Sequence, residues 1–265
     1  MENVTCNGNR FDEMAELYDS ARPAVPLYPV QILSQYLGRR PGVVVDLGCG
    51  PGISTKIWQG NCDMAIGVEP NGDMVMVANQ KAGEGLRFIQ AFGHETGLEE
   101  TSVDIVTSSQ AFHWMEPAST LREIHRMLVP GGIFATIDYE WPPVWNWKAE
   151  LAFQKFSRAM GQIDPVGPKQ GIVRWNKKDH MKHIRESGLF VYTRELFFNS
   201  TEQCSVKRLV DMALSRSSTQ YIVRHYPQEA GRLIQAFTEE LEALLGREPF
   251  EVQIHYRMRM GVKGE

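Results

Sequence analysis

Ten residues, Val43-Val44-Val45-Asp46-Leu47-Gly48-Cys49-Gly50-Pro51-Gly52, constrain this chain more than any others. They join an apolar, buried-type strand to a glycine turn, and such strands belong inside a parallel sheet covered on both faces. Glycine at the turn lets a ligand come close to the backbone. The spacing is Gly-x-Gly-x-Gly and not the Gly-x-Gly-x-x-Gly of nicotinamide dinucleotide sites, and Asp46 stands just before it. A carboxylate there suits a cationic ammonium group better than a pyrophosphate.

The same rhythm continues along the chain. Helical patterns at Pro26 to Leu37, Ile53 to Trp58 and Thr120 to Leu128 alternate with strands at Met64 to Val68, Leu86 to Gln90, Val103 to Thr107 and Ile133 to Asp138. Asn71 is placed to cap a helix, and Pro130-Gly131-Gly132 reads as a break after one. Beyond Asp138 the pattern changes. A tryptophan-rich stretch leads into a helix near Lys148 to Met160, a Gly/Pro-rich loop runs through Gly171, and a helix and strand follow at Lys178 to Glu186 and Leu189 to Phe197. Residues 205–246 are mostly helical by pattern, and Phe250 to Met260 supplies a closing strand. Ligands of such sheets bind beyond the carboxyl ends of the strands.

With 265 residues, 43% of them hydrophobic, the chain has ample material for a core. Its formal charge of -4 offers no global attraction to nucleic acid; the run Lys177-Lys178 with Lys182 and Arg185 is the best candidate for a local basic patch, though such a cluster is more often an ordinary solvated helix face. The scattered Cys6, Cys49, Cys62 and Cys204 have neither disulfide nor zinc-ligand spacing, so no metal is expected and a reducing, cytoplasmic setting is. No apolar run approaches the roughly 20 residues of a membrane span, and the start has no secretion-signal pattern.

Glu69 lies 21 positions after Gly48, at the end of the second strand, where a carboxylate can accept both hydroxyls of a ribose. At this point a family likeness emerges. Val43 to Gly52 resembles motif I of the class I S-adenosylmethionine-dependent methyltransferases, and Gly67-Val68-Glu69-Pro70 resembles their acidic second-strand motif. Phe88 to Glu95 is similar to their adenine-contacting strand end, and Asp104 to Trp114 to the fourth-strand motif of the small-molecule subgroup, the methyltransferase type 11 or trans-aconitate methyltransferase-like proteins.

The resemblance implies an α/β fold: a seven-stranded, doubly wound, Rossmann-like sheet of order 3-2-1-4-5-7-6 with strand 7 antiparallel, plus helical cap insertions. Residues 1–40 would form an N-terminal helical cover; 41–140, 172–204 and 249–265 the core; 141–171 and 205–248 the caps. It implies S-adenosylmethionine as cofactor and S-adenosylhomocysteine as product. Asp46, Gly48, Cys49, Gly50 and Gly52 would hold the methionine portion, joined by Gln110 and by Tyr18 and Arg22 of the cover. Glu69 would bind the ribose; Pro70, Met74, His94 and Glu95 would surround adenine, with His94 standing where the family commonly has a small residue.

A sulfonium carries an activated methyl group, so the protein must align a nucleophile behind that carbon and exclude water. His113 could orient or deprotonate an acceptor, or could simply be a satisfied backbone-bonded histidine. Phe112 and Trp114 stand at the mouth of the cofactor site, where Trp114 could wall the sulfonium or simply pack in the core, and Tyr139, Trp141 and Trp145 suggest an aromatic acceptor cavity or serve only to anchor the insertion. The segment Leu209 to Ser218 resembles the cap of trans-aconitate-like methyltransferases, and Arg216, if turned inward, would recognise a carboxylic acid. The expected partner is a small-molecule acceptor, without nucleic acid or membrane, for a monomer or homodimer. A non-enzymatic S-adenosylmethionine-binding regulator, an RNA or protein methyltransferase and a dinucleotide oxidoreductase are the alternatives.

Overall fold

The apolar run becomes β1 (Val43–Leu47), buried from Val44 onward. The structure, a computed structural model, describes residues 21–23, 25–167 and 173–265. β1 pairs in parallel with β2 (Met64–Glu69) on one side and β4 (Val103–Ser109) on the other. β3 (Leu86–Gln90) extends the sheet beyond β2, and β5 (Leu128–Tyr139) extends it beyond β4. β7 (Phe250–Val262) inserts antiparallel between β5 and the edge strand β6 (Tyr192–Cys204), so the order is 3-2-1-4-5-7-6. This is the sheet that the family likeness implied.

Successive side chains of a strand point to opposite faces. Val44 accordingly joins the core on one face and Val45 and Leu47 the core on the other. The first face is covered by α1 (Tyr28–Leu37) and by the cap helices α5 (Trp147–Ile163), α7 (Val206–Leu214), α8 (Ser217–His225) and α9 (Pro227–Leu245). The second packs on α4 (Pro117–Met127) and α6 (His180–Glu186). Two further helices, α2 (Ile53–Lys56) and α3 (Gly72–Asn79), follow β1 and β2, and the Asn71 side chain caps α3 by accepting from the Met74 amide at 2.9 Å. No helix of the described residues is long and apolar enough to cross a membrane.

Two local readings need correction. Pro130-Gly131-Gly132 is not a break: β5 already starts at Leu128, paired with Val103, and the register shift before Ile105 absorbs the glycines. A side chain at Gly132 would sit 2.8 Å from the Val129 carbonyl, so the bulge requires glycine. β6 runs on to Cys204 because thirteen residues pair with β7, a long-range match that local pattern does not carry. Ser205 follows, and its side chain caps α7 by accepting from the Arg208 amide at 3.3 Å.

Candidate functional site

The turn after β1 is shaped by close approach. Gly48 has φ 67°, and a Cβ there would lie 2.4 Å from the Ala111 Cβ, so the β1 turn and the chain leaving β4 touch only because no side chain intervenes. Gly50, at φ 55°, has nothing within 4 Å of its would-be Cβ. That open space is the cradle a ligand would fill.

Glu69 is the hinge of this cradle. Its Oε2 accepts from the Gly50 amide and its Oε1 from the Asn71 amide, each at 3.0 Å. Every carboxylate oxygen has a second lone pair, which leaves one on each for a ribose hydroxyl. Burial pushes the carboxyl up to about 7, with nearby Asp46 adding to the shift and the two amides opposing it. Cys49 is buried beside it, its thiol raised well above the usual value by burial, Glu69 and Asp46, so it is an inert wall.

Asp46 reads in the sequence as an ammonium ligand, a structural carboxylate, or both, and in the structure it is the structural carboxylate. It has no accessible surface: Oδ2 accepts from Ser54 Oγ at 2.6 Å and Thr55 Oγ1 at 2.9 Å, and Oδ1 from Thr107 Oγ1 at 3.0 Å. A carboxylate so enclosed meets no ligand directly; it ties β1 to α2 and β4 and holds the turn from beneath. Asp46→Ala should therefore cost about 3 kcal/mol of stability by leaving three buried hydroxyls without their acceptor, whereas Asp46→Asn should cost about 1 kcal/mol. Urea unfolding measures both, and an Ala variant as stable as wild type would refute the pinning role.

Of the residues expected around adenine, Met74 is buried, Pro70 and His94 are half-buried and Glu95 is exposed. The His94 ring lies 5.5 Å from that of Phe92. Tyr18 lies outside the described residues. Arg22 is seated under the cap, where it donates to the Tyr139 hydroxyl and to the Ser215 carbonyl at 3.0 Å, with its guanidinium 5.7 Å from the Trp141 ring centre.

Gln110, in the left-handed region at φ 55°, turns the chain out of β4 and receives a hydrogen bond from the Lys177 ammonium. Phe112 is not a pocket wall as the sequence suggested: it is 1% exposed and packs on Phe134 at 5.4 Å and edge-on to His180 at 5.1 Å. Its neighbour His113 is buried, with its ring 4.7 Å from Trp114 and no partner for Nδ1 among the described residues. Burial, followed by the charges of Lys177 and Arg174, holds this imidazole well below its usual range and hence neutral. The Trp175 amide donates to the His113 carbonyl at 2.9 Å, which lays the segment after the second loop across this end of β4.

Around that point stand Trp114, with the Arg174 guanidinium 5.2 Å above it, and Tyr139, edge-on to Trp141 at 5.2 Å. Trp141 stacks on Phe153 of α5 at 5.9 Å, and half-buried Trp145 packs into the same core, so both anchor the insertion. Arg216 points inward, donating to Ser157 Oγ at 2.9 Å. Burial, then repulsion from Arg22 and Arg174, weakens its hold on its proton.

Sequence reasoning missed the group beneath. Buried Asp138, at the end of β5, accepts from Lys177 at 3.0 Å, His180 Nδ1 at 3.1 Å and Arg259 at 2.9 Å. An acid closing a buried apolar strand, as Asp46 nearly does, was the available signal. Lys177 looked like part of a solvated basic run, yet its ammonium is turned inward.

A family model described as a methyltransferase domain matches residues 45–136, the span that carries the turn, Glu69, Gln110 and His113. The chain is thus similar to a methyltransferase domain over this stretch, residues 45–136. It is 31% identical over 125 residues to the probable S-adenosylmethionine-dependent methyltransferase CRG1 of Saccharomyces cerevisiae, covering 44% of this chain and 43% of that one. It is 30% identical over 162 residues to the uncharacterized methyltransferase Mb3374 of Mycobacterium bovis, covering 59% and 61%. The aligned region thus spans between two fifths and two thirds of these relatives. Among solved structures, that of a type II methyltransferase so far assigned only by similarity, from Anaeromyxobacter dehalogenans, superposes with a TM-score of 0.70 at 19% identity, over 91% of this chain and 97% of that one; this likeness concerns the fold.

Proposed function

We propose that this protein transfers a methyl group from S-adenosylmethionine to a small-molecule carboxylic acid, leaving S-adenosylhomocysteine and a methyl ester. The observation that carries the acid is the gathering of Arg22, Arg174, Lys177 and Arg216 around the aromatic mouth at the ends of β4 and β5. Arg174 is exposed and Arg22, Lys177 and Arg216 are half-buried; Lys177 is paired to an acid, Asp138, and this cluster of like charges favours an incoming anion. The cradle fits the donor: open space over Gly50 admits it, and Glu69 keeps two lone pairs for its ribose.

When bound, S-adenosylmethionine supplies a methyl group already activated by a sulfonium sulfur. An acceptor carboxylate held by Arg216 and Arg174 places an oxygen behind that carbon; the new O–CH3 bond forms as the S–CH3 bond breaks and its electron pair returns to sulfur. The carboxylate is ionised at neutral pH, so no base is needed, and neutral His113 beside Trp114 shapes and dries the mouth. Gln110, held by Lys177, closes the methionine end, and Arg22, bonded to Tyr139 and Ser215, closes the mouth from the cover. The reaction needs neither nucleic acid nor membrane, and it fits a cytoplasmic monomer or homodimer.

Incubation with methyl-labelled donor and a metabolite extract tests this. The expected product is a base-labile methyl ester that releases labelled methanol. Label in a base-stable N- or C-methyl product, or in RNA or protein, would overturn it. Arg216→Gln should raise the acceptor KM about tenfold, the worth of one charged hydrogen bond, without changing S-adenosylhomocysteine affinity. Steady-state kinetics and calorimetry separate those two effects.

A further inference from the structure

The half of the sheet made by β5, β7 and β6 is covered unevenly. Val252, Ile254, Tyr256, Met258 and Met260 of β7 are buried toward the cap helices, so Gln253, His255, Arg257 and Arg259 look the other way. On that side α6 reaches only the far end of the strand, where Ile184 and Phe190 press on Gly261. Among the described residues a groove of about 870 Å³ lies above it, between the two strands and the 173–178 segment.

Its lining is cationic and aromatic. Arg174, Lys177, Lys178, Arg257, Phe197 and Trp175 all face it. Of the acids nearby, Asp138 holds Lys177 and Arg259, Glu195 holds Arg259 at 3.0 Å with Arg257 only at 3.8 Å, and exposed Glu140 lines the groove without an ion pair among the described residues, so the cations outnumber the acids. The Arg257 guanidinium sits 5.0 Å from the Phe197 ring centre, and Phe197 is 64% exposed, an unusual setting for a phenylalanine. In a chain whose net charge is -4, this is a local positive field with an apolar floor.

The groove is also continuous with the proposed methyl site, for two of its residues belong to both. Lys177 donates to Gln110 at the end of β4, and Arg174 lies over Trp114.

We infer that the acceptor is an elongated acid with a second anionic group, which this groove receives on Lys178 and Arg257 while an apolar spacer runs past Trp175 and Phe197. The inference rests on the carboxylate reading above and extends it from one anchoring site to two. A second anion at the far end would fix the length and orientation of the acceptor, while the cations at the mouth hold the reacting end.

The test is calorimetry on the protein saturated with S-adenosylhomocysteine at low ionic strength, using straight-chain diacids of five to ten carbons, each against the monoacid of equal length. At least one diacid should bind tenfold or more tightly than its monoacid. The double variant K178Q/R257Q, shown to be folded by circular dichroism, should erase that gain and leave monoacid and S-adenosylhomocysteine affinities unchanged. Diacids no tighter than monoacids, or a gain that survives in the double variant, would overturn the groove assignment. Failure of S-adenosylhomocysteine to bind would instead count against the donor reading, and the same comparison on the protein alone would still decide the groove.

Discussion

Asp138→Ala is expected to destabilise the protein by about 3–5 kcal/mol, the cost of removing one partner from a buried ion pair. Arg259 is 2% exposed and would keep only Glu195, itself shared with Arg257. In the same step His180 Nδ1 would lose its acceptor and Lys177 would keep only Gln110. Although burial opposes it, the His180 hydrogen bond and the Lys177 charge hold the Asp138 carboxyl well below the usual range. A depressed carboxyl contributes its stability above the unfolded value and loses it only as pH falls through the folded one. Wild type should therefore keep this contribution down to about pH 4, near the unfolded carboxyl value. Chemical unfolding at pH 7 and pH 4 measures it, and a variant that unfolds with wild type at both would remove the network from the list of stabilising features.

Glu69→Gln is expected to weaken S-adenosylhomocysteine binding about a hundredfold, since two hydrogen bonds to an ionised carboxylate become weaker bonds to a neutral amide. The pH dependence is the sharper test. With its carboxyl pushed up to about 7, Glu69 is protonated in much of the free protein at pH 6 and ionised at pH 8. The ribose hydroxyls donate to the ionised form. Affinity should rise with pH across this interval, at most tenfold per unit, and level off above it, whereas Glu69→Gln should be flat. The linked effect on folding has the opposite sign: the native state holds a proton that the unfolded chain loses near 4.5, so the stability due to protonated Glu69 is complete below that value and disappears as pH rises through about 7. Titration calorimetry and urea unfolding from pH 5 to 9 follow the two trends together, and an affinity independent of pH would count against Glu69 as the ribose acceptor.

The sequence by itself determined the parallel strands, the turn and the place of Glu69, while the order of the whole sheet came with the family resemblance. Each depends on neighbours in one strand-turn-helix unit and on the strand after it, where apolar runs, glycine spacing and one acid leave few ways to arrange the backbone. It also named Arg216 and Trp114 as side chains to watch, without their direction. Only the tertiary structure decided what those and other side chains do. Asp46 became a buried tie once Ser54, Thr55 and Thr107 converged on it. Phe112 turned from wall to core because Phe134 and His180 arrive from other elements. Lys177 left the solvated run it seemed to belong to, drawn in by an aspartate on β5 and a glutamine after β4. Hydrophobic period and turn chemistry are local, so they can be read along the chain. The meeting of Arg22, Arg174, Lys177 and Arg216 joins charges from four distant segments, and whether such charges face water or one another is settled only when the sheet and caps have closed around them.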